Sequence, residues 1–314
     1  MSASSPPTPT PVAPTPDRET PDRILQRLDW QVIRRLDGIL QGDYRTLFYG
    51  VGIDFADLRE YQPQDDIRHI DWNVTARMNS PYVRKYVEDR EITAWFLLDL
   101  SPSMGFGPAE RPKEMVLIDF AATLARLLTR NGNRVGAILY NNRIERTIPP
   151  RSGRNQVLRL IRDLLRETDT PTGPPIRGTT DLNVLLQAGL NTFKRRSLVF
   201  LISDFISEPG WERPLTLLNR RNELIAVRLW DPREVKLPDA GLVVVEDAET
   251  GEQLYVDTSN LEFRRRFHEA AKRREAMLQE NLKRAGGHLF AVSTEEDLVS
   301  VIVRMATLRK RWRR

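Results

Sequence analysis

The chain contains no cysteine and only three histidines, His69, His268 and His288. The first absence removes disulfides, thiolate metal sites and cysteine nucleophiles together; the second leaves too few imidazoles for a histidine-rich zinc centre. Any metal bound here is expected to be held by oxygen. Also missing is a run of the roughly 18 to 20 apolar residues that a membrane-spanning helix needs. The opening MSASSPPTPTPVAPTP lacks the apolar core and basic flank of a secretory signal. A cytoplasmic protein is the expectation. Charge of one sign is not in large excess, since the net charge is +5 over 314 residues. The basic residues do cluster: 264–284 hold eight Lys or Arg against three Glu, and 304–314 hold six with no acid. No base-stacking aromatic cluster accompanies them, so solvated helix faces are expected rather than a nucleic-acid surface.

What is present is a core. Hydrophobic residues make up 40% of the chain, enough for one large domain or two small ones. Residues 1–21, rich in Pro, Ser and Thr, bury too little to offset the entropy of ordering and are expected to be a disordered tail. The next segment, within a unit spanning 22–90, places Ile24, Leu25, Leu28, Val32, Leu36 and Ile39 on one helical stripe. Beyond residue 90, the runs AWFLLD (94–99), VGAILY (135–140), LVFLIS (198–203), LIAVRLW (224–230) and HLFAV (288–292) are too short for buried helices. They are also too uniformly apolar for half-exposed strands, so they read as central strands. Amphipathic segments around Leu117–Leu128, Val157–Leu165 and Leu182–Leu190 alternate with them. The spacing predicts an α/β fold over 91–308: a Rossmann-like, doubly wound, mainly parallel sheet with helices on both faces. Asn141-Asn142 suits a tight turn with positive φ, returning Arg143–Ile148 as an antiparallel edge strand. LVVVED and EQLYVD flank AETGE and predict a β-hairpin inserted within 232–258, before a long helix over 259–284. A last helix is expected over roughly 295–311, with 309–314 as a basic tail.

Ligands of doubly wound sheets bind beyond the carboxyl ends of the strands. Three of the expected strand ends or helix starts carry hard oxygen donors: Asp99, Ser101 and Ser103 in LLDLSPSMGFG, Thr180 with Asp181 in GTTDL, and Asp204 in LISDF. Singly, each is a common cap or turn residue, and Thr180 or Asp181 could cap the helix at 182. Together they suit a divalent ion. Mg2+ takes about six oxygens and tolerates waters, so hydroxyls with one or two carboxylates match it, with Mn2+ or Ca2+ as alternatives.

Asp99, Ser101 and Ser103 resemble the DxSxS metal-ion-dependent adhesion site of von Willebrand factor A domains, with Thr180 similar to its threonine and Asp204 to its third-loop aspartate. Upstream, GVGIDFADLREYQPQDDIRHIDWNVTARM (50–78) resembles the signature of the bacterial family catalogued as domain of unknown function fifty-eight. The resemblance covers roughly residues 38–305. It implies a von Willebrand A-type domain, an adhesion-type Mg2+ site, and work beside MoxR-type AAA+ ATPases in assembly or chaperone-like tasks. Many relatives carry N-terminal membrane helices, which this sequence lacks.

Such a site leaves the ion with residual positive charge and a replaceable water. An Asp or Glu of a client protein could take that position. The functional expectation is therefore a non-catalytic, metal-dependent protein-binding adaptor or co-chaperone. Asp99 and Asp204 would anchor the ion, Ser101 and Ser103 would supply hydroxyls, and Thr180 would join directly or through water. One alternative is a Mg2+-dependent phosphohydrolase, but Ser101 stands where such an enzyme needs a second carboxylate as acid/base. The other is nucleic-acid binding through the basic C-terminal helices. In the 50–90 region, Arg59, Arg68, Arg77 and Arg84 alternate with Asp54, Asp57, Asp65, Asp66 and Asp71, with Tyr61, Trp72, Tyr82 and Tyr86 among them. Paired charges and buried aromatics are expected to fasten this segment to the sheet domain, with Asp66 or Asp71 holding an arginine.

Overall fold

A computed structural model of the chain describes residues 19–40, 57–63, 65, 67, 70–78, 80–85, 91–108, 111–169 and 179–312. Helix α1 (Pro21–Leu28) runs through a π-helical turn, Asp29–Ile33, into α2 (Arg34–Leu40). Strand β1 (Asp57–Glu60) pairs antiparallel with β2 (Tyr82–Lys85), and the short helix α3 (Trp72–Met78) lies between them in sequence. Then come β3 (Thr93–Asp99), α4 (Lys113–Arg130), β4 (Arg134–Tyr140), β5 (Ile144–Arg151), α5 (Arg154–Asp169) and α6 (Leu182–Thr192). The remainder is β6 (Leu198–Ser203), α7 (Glu212–Arg221), β7 (Glu223–Trp230), β8 (Leu242–Glu246), β9 (Gln253–Asp257), α8 (Leu261–Arg284), β10 (His288–Ser293) and α9 (Leu298–Trp312).

Six strands form the central sheet in the order β10-β7-β6-β3-β4-β5, and every neighbouring pair is parallel except β4 with β5. The fold is thus α/β, with a mostly parallel, Rossmann-like sheet. Its inner strands β3, β4, β6 and β7 are buried on both faces, which is why they read as apolar runs. One face carries Phe96, Leu98 and Phe200 against α4, α5 and α9; the other carries Trp95, Leu97 and Leu201 against α6, α7 and α8. Phe96 and Phe200 stack across neighbouring strands with ring centroids 5.2 Å apart. Asn142 takes the positive φ, 55°, that turns β4 into β5. The hairpin β8–β9 forms its own two-stranded sheet. No described helix is long and apolar enough to cross a membrane.

Four local expectations need correction. Residues 19–21 do not belong to a tail: the Thr20 hydroxyl accepts from the Arg23 N–H and Pro21 opens α1, a pair of helix-start signals masked by the Pro/Thr-rich composition before them. The helical stripe fails at its end, where Ile39 is 59% exposed and Ile33 is buried. The π-turn adds a residue to the coil at Asp29–Ile33 and Ile33 joins Val32 on the buried side, while Leu36 stays there. Arg309 is no tail residue either; it is buried within α9, and its Nε donates to Glu223 at 2.6 Å. Trp72 is 69% exposed rather than buried. The buried group there is Asp71, whose carboxylate accepts from the Val74 N–H and caps α3. Asp54, Asp66, Arg68, His69, Arg84 and Tyr86 lie outside the residues whose side chains are described.

The segment 21–40 docks through its buried stripe and a row of ion pairs. Arg27 binds Asp119 at 2.8 Å, Arg126 binds Asp29 at 2.9 Å, and Arg130 binds Asp37 at 2.8 Å. It therefore forms an outer layer over α4.

Candidate metal centre at the carboxyl edge of the sheet

The strand order reverses around β3: the chain steps from β3 to β4 and β5 on one side, then crosses to β6, β7 and β10 on the other. The chain leaves the adjacent strands β3 and β6 toward opposite sides of the sheet, the position where open α/β sheets bind ligands.

Asp99 ends β3, fully buried. Its Oδ1 accepts from the Ser101 N–H at 3.0 Å, and its Oδ2 accepts from the Ser203 hydroxyl at 2.6 Å. The first bond curls the chain into the 3-10 turn Pro102–Gly105 and brings Ser101 Oγ within 3.2 Å of Ser103 Oγ. Asp204 follows β6, and its Oδ1 accepts from the Ile206 N–H at 3.0 Å. Phe205 sits between them at φ 60°, an uncommon backbone state for a bulky side chain; the Ser203 hydroxyl accepts its N–H, and its ring meets Trp211 edge-on. Thr180 precedes α6 and is wholly buried, its carbonyl accepting from the Glu208 N–H at 2.8 Å. Asp181, not Thr180, is the cap of α6, accepting from the Asn183 N–H at 2.9 Å. The Tyr140 hydroxyl at the end of β4 accepts from the Asp181 N–H at 2.9 Å and so ties the loop before α6 to the end of β4.

The electrostatics follow from burial. Lack of solvent, and then the charge of Asp204, push the Asp99 carboxyl up to about 6. Burial also drives the Tyr140 phenol up to about 12, with the charges of Asp99, Asp181 and Glu249 adding to the shift. Opposing this excess of anions is Lys113, the first residue of α4. Its fully buried ammonium is 2.7 Å from Asp204 Oδ2 and also pairs with Glu234. Burial disfavours that charge, but the two carboxylates outweigh it and raise the lysine above its ordinary range.

Asp99, Ser101 and Ser103 are linked by hydrogen bonds and Asp204 follows the strand beside them, while Thr180 opens the loop before α6 and its hydroxyl donates to Glu249. Ser101, Ser103 and Thr180 contribute hydroxyls. Asp99 and Asp204 stand behind them with oxygens already accepting hydrogen bonds, and each oxygen retains a further lone pair. Among the described residues, no three carboxylate or imidazole groups gather to hold a metal. Any ion here is held chiefly by hydroxyls. The donor chemistry fits a hard divalent cation: the 3.2 Å between the two serine oxygens is close to the ~3.0 Å between adjacent ligands of an Mg2+ octahedron.

A family model described as "Protein of unknown function DUF58" matches residues 57–277. The chain belongs to the DUF58 family. An uncharacterized protein of Mycobacterium tuberculosis is 36% identical over 289 residues, covering 91% of this DUF58 chain and 89% of that protein. An uncharacterized protein of Mycobacterium avium is 34% identical over 164 residues, covering 52% of this chain and 94% of its own length. Among solved structures, the conserved hypothetical protein BatB from Bacteroides thetaiotaomicron aligns over 70% of this chain and 98% of its own, at 15% identity and a TM-score of 0.49.

Two residues of this DUF58 site escaped sequence reasoning. Lys113 reads as an ordinary solvent-facing helix residue; its one warning is a cation at a helix N-terminus, where the dipole disfavours it. Glu249, in the turn of the β8–β9 hairpin, reads as a turn residue. In the folded chain its Oε1 accepts from the Thr180 hydroxyl at 2.6 Å and its Oε2 from the Thr180 N–H at 2.9 Å. Four of the eight basic residues of α8 pair within the chain, Arg264 with Asp239, Arg266 with Glu262, Arg273 with Glu269 and Arg284 with Glu280.

Proposed function

We propose that this DUF58 protein is a non-catalytic, metal-dependent protein-binding adaptor or co-chaperone. Its carboxyl-edge site is of the von Willebrand A adhesion type and captures a partner through an Asp or Glu. The observation that supports this reading is the approach of the Ser101 and Ser103 hydroxyls beside Asp99, with Asp204 following the neighbouring strand, at the topological switch point. Mg2+ would be held by those hydroxyls, with Asp99 and Asp204 supplying negative charge. When bound, it would offer a Lewis-acidic position to an outside carboxylate.

The chain's own groups set up that chemistry. Ser203 and the Ser101 N–H hold the Asp99 carboxylate in one orientation. Lys113 fixes Asp204 and offsets part of its charge, leaving the site short of the three or more carboxylates that would saturate a cation. The site also lacks a second acid beside Asp99, since Ser101 occupies that place, and this favours binding over turnover. A MoxR-type AAA+ ATPase as working partner and a client presenting Asp or Glu follow from the sequence resemblance.

A pull-down from a lysate of the source cells, with MoxR-type ATPases detected by mass spectrometry, tests this reading. Capture is expected with Mg2+ and lost with chelator, and lost in Asp99→Ala or Ser101→Ala. Capture indifferent to chelator and to both substitutions would refute it.

A further inference from the structure

Glu249 grips Thr180 with both carboxylate oxygens, one on the hydroxyl and one on the backbone N–H. Nothing else about the hairpin requires this contact. Strands β8 and β9 pair with each other and not with the central sheet. Leu242 and Tyr255 are both 72% exposed, and Val256 is the strands' one buried hydrophobic residue. The turn, in contrast, is held firmly: Asp247 Oδ1 accepts from the N–H groups of Glu249 and Thr250, at 3.0 and 2.7 Å, and from the Thr250 hydroxyl. Gly251, at φ 72°, completes the reversal. At the base, the Thr258 hydroxyl donates to the Gly241 carbonyl and accepts from the Ala240 N–H, a compact clasp beside a second positive-φ glycine. A rigid tip on a thinly buried arm, clasped at its base, can leave as a unit at little cost in buried apolar surface.

We propose that Glu249 is an internal ligand of the carboxyl-edge site, the chain's own stand-in for the partner acid, carried by a hairpin that must swing away before an outside carboxylate can enter. The inference rests on the metal-binding reading above and supplies its regulation. The 2.6 Å contact from Thr180 Oγ1 to Glu249 Oε1 is a hydrogen bond, and a small opening of this pair would reach the ~3.0 Å that separates adjacent ligands of one small cation. A partner's acid would compete against a carboxylate tethered in place, so capture is gated by the hairpin's release as well as by the partner's affinity.

Mn2+ serves as the probe, titrated into the full chain while the paramagnetic relaxation of bulk water is measured per bound ion. Wild type, Glu249→Ala, Glu249→Gln and Asp99→Ala are compared, with circular dichroism melts establishing that each is folded. Loss of Glu249 is expected to free about one inner-sphere position: relaxation per bound ion rises, Mn2+ affinity falls several-fold, and added acetate then quenches the extra relaxation. Wild type is expected to be insensitive to the same acetate. Hydrogen exchange across 242–257 should also quicken in Glu249→Gln. If Mn2+ binds in an Asp99-dependent way, but relaxation, acetate response and exchange match wild type in both Glu249 variants, the internal-ligand inference falls and the metal site stands. If wild type and both Glu249 variants bind no Mn2+, the metal reading falls and takes the inference with it.

Discussion

Replacing Lys113 by methionine keeps most of the buried volume and deletes the ammonium that Asp204 and Glu234 share. The two carboxylates are not equally stranded by the change. The Glu234 side chain is 15% exposed and can turn towards water, whereas that of Asp204 is 1% exposed and held by the Ile206 N–H. Removing one member of a buried pair leaves an uncompensated charge and costs about 3–5 kcal/mol. With Glu234 free to relax, the lower end is expected, ~3 kcal/mol. Urea unfolding followed by tryptophan fluorescence reads this directly, Trp95 and Trp211 being buried reporters on one face of the sheet. The midpoint should fall with an unchanged slope. Asp204→Asn in the Lys113→Met background should recover much of the loss, giving a coupling of 1 kcal/mol or more in a double-mutant cycle, on the order expected of contacting residues. A single variant within ~0.5 kcal/mol of wild type, or a cycle that closes to zero, would refute the claim that Lys113 neutralises this site.

Asp99→Asn removes the buried charge but also one of the two acceptors that serve the Ser101 N–H and the Ser203 hydroxyl, so the stability of the metal-free variant relative to wild type should rise with pH. The folded carboxyl titrates at about 6 against an ordinary 3.8, so wild type loses stability as pH rises between these values. The difference in chemical denaturation should move in the variant's favour over that window by at most ~3 kcal/mol up to neutral pH, and an equal difference at pH 3.5 and pH 7 would contradict it. Gly136 lies where an added Cβ would come within 2.8 Å of the Trp95 ring and 3.0 Å of the Ile148 carbonyl oxygen. Gly136→Ala should therefore cost about 1–3 kcal/mol, measured as a drop in the urea midpoint. Arg27→Ala should loosen the outer helical layer, since it frees Asp119; hydrogen exchange over 21–40 should quicken with little change in the central strands.

The sheet was legible because parallel strands buried on both faces leave a distinctive trace: β6 coincides with LVFLIS, and the others differ from the expected runs by a residue or so. The first and third loops of the site were legible for a similar reason, each being a short polar stretch attached to such a strand. Contacts that close over long separations were not. Lys113 and Asp204 are 91 residues apart, and Thr180 and Glu249 are 69 apart, with no periodicity linking either pair. Ser203 was read as the end of a strand, and its hydroxyl's bond to Asp99 depends on β3 and β6 being neighbours, which the sheet order alone settles. At the N-terminus, the π-turn at Asp29–Ile33 left no trace in the sequence, and a stripe assigned at 3.6 residues per turn missed the buried Ile33 and included the exposed Ile39.

The most direct test of the adhesion-type site is calorimetric titration of Mg2+ into the full chain and into the Ser101→Ala/Ser103→Ala variant, which removes two hydroxyls and leaves every buried charge in place. One saturable site in wild type, weakened at least tenfold in the variant, is the predicted result. No saturable binding in wild type, or equal affinity in the two proteins, would contradict it.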